Sequence, residues 1–214
     1  MKVLGNENSV LNHFIVELRD AEVQKDSMRF RKNLERIGEI MAYEISKTFL
    51  YEDKNILTPL GTSIIPVVQT PPLLAVVLRA GLPLYQGFLN YFDKAESAFI
   101  AAYRGVPGDN HNFEIKMDYL STAALNQKVV ILIDPMLATG KSLVKAYHSL
   151  LAFGKPSTVH IASVIASEAG VKHLKNEIPE ANLWTIAIDP VLNDKFYISP
   201  GLGDAGDLSF GGKL

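Results

Sequence analysis

The residues best suited to chemistry lie in the segment 128–142, which reads KVVILIDPMLATGKS. A short apolar run rich in β-branched residues indicates a buried strand, and Asp134 follows it directly. Thr139, Gly140 and Ser142 come next, where an amphipathic helix is expected to begin. Backbone N–H groups, hydroxyls and the helix dipole can all bind one anion at such a turn. The segment therefore predicts a phosphate site with an acid beside it.

The sequence Gly140-Lys141-Ser142 also ends the nucleotide-binding loop of nucleoside triphosphatases. In that motif the first glycine would fall at position 135, which is Pro135 here. Proline cannot make the backbone turn that the glycine makes. The segment therefore favours a different phosphate ligand.

Two arginines also follow apolar strands. Arg79 precedes Ala80-Gly81, and Arg104 precedes Gly105. A guanidinium group pairs well with phosphate oxygens, and a neighbouring glycine lets the backbone approach a ligand closely. A structural role stays open for each arginine: an ion pair at a turn for Arg79 and a solvated loop position for Arg104.

The C-terminal segment 197–207, YISPGLGDAGD, is rich in glycine. Backbone N–H and C=O groups can bind the donors and acceptors of a small planar base, and glycine permits the close approach. An ordinary glycine-rich loop explains the same residues. On these residues alone both interpretations stay open.

The composition limits the class of protein. The 214 residues are 48% hydrophobic, carry a formal charge of −2 and include no cysteine. This length fits a single domain, 1–214. A net charge this close to zero does not predict nucleic-acid binding. No stretch approaches the roughly 20 apolar residues of a membrane span. The five scattered histidines lack metal-ligand spacing, so no protein-bound metal is predicted. We expect a soluble, cytoplasmic protein with a small-molecule partner.

The elements that would position these residues follow from the hydrophobic pattern. Apolar runs predict strands over 74–78, 98–102, 129–133, 159–165 and 183–188. Helical patterns between several of them cover 82–92, 142–153 and 168–177. This alternation predicts an α/β fold with a largely parallel central sheet flanked by helices. The ligand crevice of such a sheet lies at the carboxyl ends of its strands.

Three further segments flank or interrupt the core, which spans about 73–190. A helix is predicted at about 27–49, with Ser27 as its N-cap. Prolines break the segment at about 55–72, which favours an irregular β-arm suited to a subunit interface. Segment 103–128 combines glycine and proline with an alternating apolar pattern. That pattern favours a mobile loop or β-hairpin rather than a crossover helix.

The phosphate and C-terminal motifs together carry a family resemblance. Segment 134–142 resembles the loop that binds 5-phosphoribosyl 1-diphosphate (PRPP), with Pro135 where most phosphoribosyltransferases have a second acid. Segment 197–207 resembles the uracil-binding hood of the uracil phosphoribosyltransferase family. The resemblance implies a type I phosphoribosyltransferase-like fold, with a C-terminal hood at about 191–214.

The activity implied by this resemblance is transfer of the phosphoribosyl group of PRPP to uracil, which gives UMP and pyrophosphate in pyrimidine salvage. Two alternatives stay open. One is a regulator of the same fold that senses PRPP or nucleotides without turnover. The other is a phosphoribosyltransferase for another base.

The resemblance also implies roles for individual residues. Asp134 and Arg104 are expected to be catalytic. PRPP binding is expected of Arg79, Arg104, Asp134, Pro135, Met136, Leu137, Ala138, Thr139, Gly140, Lys141, Ser142 and Asp204. Uracil binding is expected of Ile198, Gly203, Asp204 and Ala205.

Lys141 departs from the family's usual pattern, which has a second glycine at this position. Hypoxanthine-type relatives resemble Asp-Thr-Gly-Lys-Thr here, so the wider fold accepts lysine. We expect Lys141 to be tolerated and to add charge near the phosphate. Ser209 and Gly212 also depart from the usual ending of the chain.

The resemblance carries expectations about cofactors and partners as well. Mg²⁺ is expected to bind mainly through PRPP rather than in a protein cage. The substrates are uracil and PRPP, with neither nucleic acid nor a membrane as partner. The β-arm suggests a homodimer or a higher homo-oligomer, and GTP is a candidate allosteric activator, as in some relatives.

Overall fold

The computed structural model describes residues 1–104 and 115–212, with all their side chains except those of 103, 104, 115 and 116. Its helices are α1 (Leu11–Arg19), α2 (Ser27–Ser46), α3 (Leu82–Tyr91), α4 (Lys141–Leu150), α5 (Glu168–Glu177) and α6 (Ala205–Phe210). Its strands are β1 (Lys2–Val3), β2 (Tyr51–Thr58), β3 (Gly61–Val68), β4 (Leu73–Leu78), β5 (Glu96–Arg104), β6 (Ile115–Ser121), β7 (Val129–Ile133), β8 (Met136–Leu137), β9 (Thr158–Ser167), β10 (Asn182–Asp189), β11 (Val191–Leu192) and β12 (Ile198–Ser199). No helix in this part of the chain is long and apolar enough to cross a membrane.

A mostly parallel sheet forms the centre of the fold, in the order β1-β10-β9-β7-β4-β5-β6, with β8 paired to β9. Every pairing is parallel except that of β5 with β6. Leu74 and Ile131 belong to the core formed with α2 and α3, whereas Leu73 and Val130 belong to the core formed with α4 and α5. Because helices cover both faces, the central strands are apolar throughout. The prediction of an α/β fold is confirmed.

The observed helices differ from the predicted ones mainly at their ends. The N-cap of α2 is Asp26, whose Oδ1 accepts a hydrogen bond from the Arg29 amide at 3.1 Å, so the prediction of Ser27 was wrong. The helix ends at Ser46 rather than at 49. Helix α4 ends at Leu150, and a single 3₁₀ turn completes the segment predicted as helix.

Helices α2 and α3 touch backbone to backbone. A Cβ atom on Gly87 would lie 2.0 Å from the Glu35 carbonyl oxygen, and one on Gly38 would lie 2.3 Å from the Leu84 carbonyl oxygen. Only glycine permits such an approach. This contact fixes the position of α3 and, with it, the turn between β4 and α3 that carries Arg79.

The segment after β5 forms a hairpin with β6 rather than a crossover helix. The two strands pair antiparallel from Phe99 with Ser121 to Arg104 with Ile115, with one irregularity between Ala101 and Ala102. The hairpin alternative is therefore confirmed for the paired residues. Residues 105–114, predicted as part of the same loop, lie outside the described part of the chain.

Strands β2 and β3 form a separate antiparallel hairpin, which we call the β-arm. Its ladder runs without interruption from Tyr51 with Val68 to Thr58 with Gly61, so the prediction of an irregular arm starting near 55 was wrong. Pro66 lies inside β3, and proline is tolerated in edge strands such as those of a two-stranded ribbon. Leu57 is 86% exposed and Leu60 fully exposed.

Candidate active site

One cavity of about 1100 Å³ lies at the carboxyl ends of β4, β5 and β7. Three segments that are distant in sequence form most of its wall: the turn that carries Arg79, the phosphate loop (134–142) and the C-terminal hood. This is the crevice expected for a parallel sheet, where strand ends present polar groups to a ligand. The geometry therefore brings together the motifs that the sequence analysis singled out.

The phosphate loop is attached to β9 by hydrogen bonds along its backbone. The Ser163 hydroxyl donates to the Asp134 carbonyl oxygen at 2.6 Å, and the amides of Val164 and Ile165 donate to the Pro135 carbonyl oxygen at 3.0 Å each. Gly140 then adopts a positive φ of 76°, and α4 starts at the next residue. Amide groups in the first turn of α4 are thus aimed at the cavity end of the helix, where an anion is favoured.

Helix α5 supports the same loop from behind. The Ser167 hydroxyl donates to the Ala138 carbonyl oxygen at 2.5 Å and accepts from the Gly170 amide at 2.8 Å. A Cβ atom on Gly170 would lie only 2.3 Å from the Ala138 carbonyl oxygen. The loop conformation therefore depends on a serine and a glycine that no motif in the sequence had marked.

Most of the predicted site residues line the cavity. These are Arg79, Asp134, Met136, Ala138, Thr139, Gly140, Ser142, Ile198, Gly203, Asp204 and Ala205. Pro135 and Leu137 are buried beside the wall and do not line it. The backbone of Arg104 ends β5 near the cavity residues Ala101 and Ala102, but its side chain lies outside the described part.

Lys141 occupies a different position from the rest of the loop. It is exposed and lines a neighbouring cavity of about 800 Å³, together with His173, Asn193 and Asp194. Thr139 lines both cavities. The side chain of Lys141 therefore faces the second cavity, while its backbone begins α4.

Asp134 lies at the carboxyl end of β7 with its side chain largely withdrawn from water. This desolvation raises the pKa of the carboxyl group to about 7, although a hydrogen bond from the Met136 amide, 3.1 Å long, favours the ionised form. A carboxyl group with this pKa gains or loses its proton near neutral pH. Strongly shifted pKa values of this kind are typical of functional sites.

The guanidinium of Arg79 is held by the end of the chain. Its Nη2 lies 3.2 Å from Asp207 Oδ1 and donates to the Gly211 carbonyl oxygen at 3.1 Å. Its Nε is buried and has no hydrogen-bond partner within the described residues. A buried donor of this kind suits an anionic ligand. The sequence analysis did not identify Asp207 as a site residue. Its position three residues after Asp204, in the same glycine-rich segment, could have indicated it.

A partly buried ion pair attaches the hood to the sheet. Arg19 donates to both carboxylate oxygens of Asp189, at 2.8 and 2.9 Å, and to the Gly201 carbonyl oxygen at 3.1 Å. The Gly201 amide donates to Asp189 at 2.9 Å. Asp204, predicted as a ligand residue, also caps α6, because its Oδ1 accepts from the amides of Gly206 and Asp207. These contacts hold the hood over the cavity.

Comparisons with known proteins identify the family of the whole chain. The family model described as uracil phosphoribosyltransferase matches residues 5–212. A uracil phosphoribosyltransferase of Porphyromonas gingivalis is 49% identical over 212 residues, which are 99% of this chain and 98% of that protein. One of Pyrococcus furiosus is 36% identical over 208 residues, covering 96% and 88%.

Solved structures support the fold. The AQ2163 protein from Aquifex aeolicus superimposes with a TM-score of 0.86 at 29% identity, over 98% of each chain. An orotate phosphoribosyltransferase of Mycobacterium tuberculosis, solved with inorganic phosphate, gives a TM-score of 0.51 at 9% identity, over 88% of this chain and 94% of that one. The type I phosphoribosyltransferase-like fold is thereby confirmed. The chain belongs to the uracil phosphoribosyltransferase family.

Proposed function

We propose that this protein transfers the 5-phosphoribosyl group of PRPP to uracil, with release of pyrophosphate and formation of UMP. The observation that carries the proposal is the single cavity in which the phosphate loop, Arg79 and the glycine-rich hood converge. Each of these segments suits one part of the two substrates. Relatives named uracil phosphoribosyltransferase at 49% and 36% identity support the choice of uracil as the base.

The phosphate loop suits the 5′-phosphate of PRPP. Thr139, Gly140 and Ser142 line the cavity at the N-terminus of α4, where hydroxyls and amides can donate to phosphate oxygens. Asp134 lies at the other end of the loop, and we assign it to the ribose hydroxyls. Its carboxylate also stabilises positive charge on the anomeric carbon by electrostatic attraction.

The hood suits the base. Ile198, Gly203 and Ala205 line the same cavity, and their backbone groups can bind the donors and acceptors of uracil. Gly203 lines the cavity with a φ of 89°, a backbone conformation that residues with a side chain disfavour. We assign the Asp204 carboxylate to the PRPP side of the cavity, in addition to its role as helix cap.

The reaction breaks the bond between the anomeric carbon and a pyrophosphate oxygen, and forms a bond from that carbon to N1 of uracil. The N1 proton is released. Pyrophosphate departs from one face of the ribose and uracil attacks the opposite face, so the protein acts by positioning and electrostatics. Arg79 binds the departing pyrophosphate, and we assign Arg104, after β5, to the same group.

We propose that Mg²⁺ binds together with PRPP, mainly through the substrate. Among the described residues, no group of three or more histidine, aspartate or glutamate side chains lies close enough to hold a metal ion. Asp134, Asp204 and Asp207 line the cavity, and such separate carboxylates fit an ion that keeps most of its other ligands on phosphate oxygens and water. When bound, the ion neutralises charge on the leaving pyrophosphate.

The β-arm supports a homodimer or a higher homo-oligomer. Leu57, Leu60 and Ile64 are exposed on a hairpin that is not joined to the main sheet, and such apolar groups are typical of interfaces. Light scattering of the purified protein, beside a Leu57→Glu/Leu60→Glu variant, would test this assignment. We also propose a cytoplasmic location and activation by GTP. Adding GTP to the activity assay tests the activation.

The test of the function is incubation of the purified protein with labelled uracil, PRPP and Mg²⁺, followed by chromatography of the products. We expect UMP that depends on PRPP, and pyrophosphate in equal amount. A panel of hypoxanthine, adenine and orotate addresses the alternative of another base. Binding of UMP without turnover of any base, with or without GTP, would favour a regulator instead.

A further inference from the structure

Phe196 adopts a backbone conformation that bulky residues rarely occupy. Its φ is 60°, in the left-handed region, and within the described residues only Gln127 shares a positive φ without being glycine. This conformation costs free energy for a residue with a side chain of this size. A residue kept in it despite the cost is a candidate for a specific role.

Hydrogen bonds within a tight turn hold Phe196 in this conformation. Its amide donates to the Asn193 carbonyl oxygen at 2.8 Å, and the Asn193 amide donates to the Tyr197 carbonyl oxygen at 2.9 Å. The side-chain Oδ1 of Asn193 accepts from the amides of Lys195 and Tyr197 at 3.0 Å each. These four hydrogen bonds therefore hold the backbone of the turn that carries Phe196.

That place is the boundary between the two cavities. Phe196 lines the active-site cavity of about 1100 Å³ and also the neighbouring cavity of about 800 Å³. It stands two residues before Ile198, at the end of the cavity where the hood lies. The wall of the second cavity is mixed, with the apolar residues Ala169 and Leu192 beside Lys141, His173 and Asp194. Phe196 thus lies between the end of the active site formed by the hood and a second cavity that contains charged residues.

We propose that Phe196 is a specificity-determining residue that closes the base end of the active site and limits the size of the base. The inference rests on the proposed function, since it concerns the pocket assigned to uracil. With the ring present, a small pyrimidine is enclosed and water from the second cavity is kept away. Without the ring, the two spaces join, a bulkier base fits, and contacts to uracil weaken.

Three variants test this role: Phe196→Gly, Phe196→Ala and Phe196→Leu. Glycine removes the ring and relieves the backbone strain, alanine removes the ring alone, and leucine restores apolar bulk. We expect the glycine and alanine variants to raise KM for uracil about tenfold, the size of effect seen when a small apolar contact is lost from a pocket. KM for PRPP should change less than about twofold, and leucine should recover most of the loss.

Base selectivity and stability supply the decisive comparisons. The ratio of kcat/KM for 5-iodouracil to that for uracil should rise about tenfold in the glycine and alanine variants. The glycine variant should melt at a higher temperature than the alanine variant. If both variants keep the wild-type KM and selectivity while glycine alone raises the melting temperature, Phe196 is a structural residue and the inference is wrong.

The wild-type protein separates this inference from the proposed function. If the wild type forms no UMP, the proposed function fails, and the role of the ring is then measured by calorimetry with UMP as the probe. A loss of about tenfold in UMP affinity in both ring-free variants supports the inference, and unchanged affinity overturns it.

Discussion

The guanidinium of Arg79 and the carboxylate of Asp207 lie 3.2 Å apart, which joins the turn after β4 to the first turn of α6. Both side chains are 40% exposed, so the ion pair adds little to the free energy of unfolding. The ion pair instead fixes the position of the Arg79 side chain. The arginine assigned to pyrophosphate is held by the same segment that carries the residues assigned to uracil.

Replacement of Arg79 by alanine should affect PRPP more than stability. We expect kcat/KM for PRPP to fall about 30- to 100-fold, because hydrogen bonds between charged groups contribute about 2 to 3 kcal/mol. Steady-state kinetics at fixed uracil would measure this effect. Arg29→Ala, which removes an exposed ion pair with Glu17 instead, should keep wild-type kinetics. Equal values for the two variants would contradict the role of Arg79.

Gly170→Ala should disturb the phosphate loop from behind. The added methyl would lie 2.3 Å from the Ala138 carbonyl oxygen and 2.7 Å from that of Leu137, so the loop must shift. We expect KM for PRPP to rise at least about tenfold, since a displacement of about 1 Å can cost far more than that. Lys172→Ala, on the exposed side of the same helix, is the matched control and should leave KM unchanged.

The sequence located the phosphate loop because strand β7, the turn and α4 are contiguous, and each leaves a local pattern. It missed Asp207 as the partner of Arg79 and Asp189 as the partner of Arg19, since these pairs are 128 and 170 residues apart. Pairing across such distances is set by the order of strands in the sheet, which no local pattern encodes. The position of Lys141 beside a second cavity depends in the same way on hood residues distant in sequence.

Removal of Arg19 should release the hood from the sheet. Asp189 is 6% exposed, so Arg19→Met would leave a buried carboxylate without its guanidinium partner. The expected loss is about 3 kcal/mol in the free energy of unfolding, measured by urea denaturation. The double variant Arg19→Met/Asp189→Asn should recover part of the loss because it also removes the charge. Lys25→Met, at an exposed pair, should cause no measurable change.

The raised pKa of Asp134 predicts the pH dependence of both activity and stability. The carboxylate is the form assigned to catalysis, so kcat/KM for PRPP should rise with pH up to about 7 and then level off. Asp134→Asn should remove this dependence and lower the rate about 100-fold. A pH profile that Asp134→Asn leaves in place would show that another group titrates.

The effect of Asp134 on stability has the opposite direction. Its folded-state pKa of about 7 lies above the ordinary value of 3.8, so the folded protein binds the proton more tightly than the unfolded chain does. The contribution of Asp134 to the free energy of unfolding therefore falls as the pH rises from about 4 to 7. Asp134→Asn should consequently be more stable than the wild type at pH 8, by about 2 to 4 kcal/mol, in urea denaturation.

His160 should make the protein sensitive to acid. The residue is 2% exposed, and burial lowers the pKa of its imidazole to about 4 from the ordinary value of 6.5. Its Nδ1 accepts a hydrogen bond from Trp184 Nε1 at 3.0 Å, which requires this nitrogen to carry no proton. The folded state therefore favours neutral histidine, and protonation removes that hydrogen bond.

The contribution of His160 is complete above pH 6.5 and is lost as the pH falls from 6.5 towards 4, because the unfolded chain binds the proton more tightly there. The loss should reach about 3 kcal/mol in the free energy of unfolding at pH 4. Urea denaturation at four pH values would measure it. Because Asp134 acts in the opposite direction over this interval, the measured quantity is the free energy of unfolding of the wild type minus that of His160→Gln, which should fall by about 3 kcal/mol from pH 7 to pH 4. The same difference taken with His13→Gln, at an exposed position, should not change with pH. A difference between the wild type and His160→Gln that stays constant with pH would contradict the role of His160.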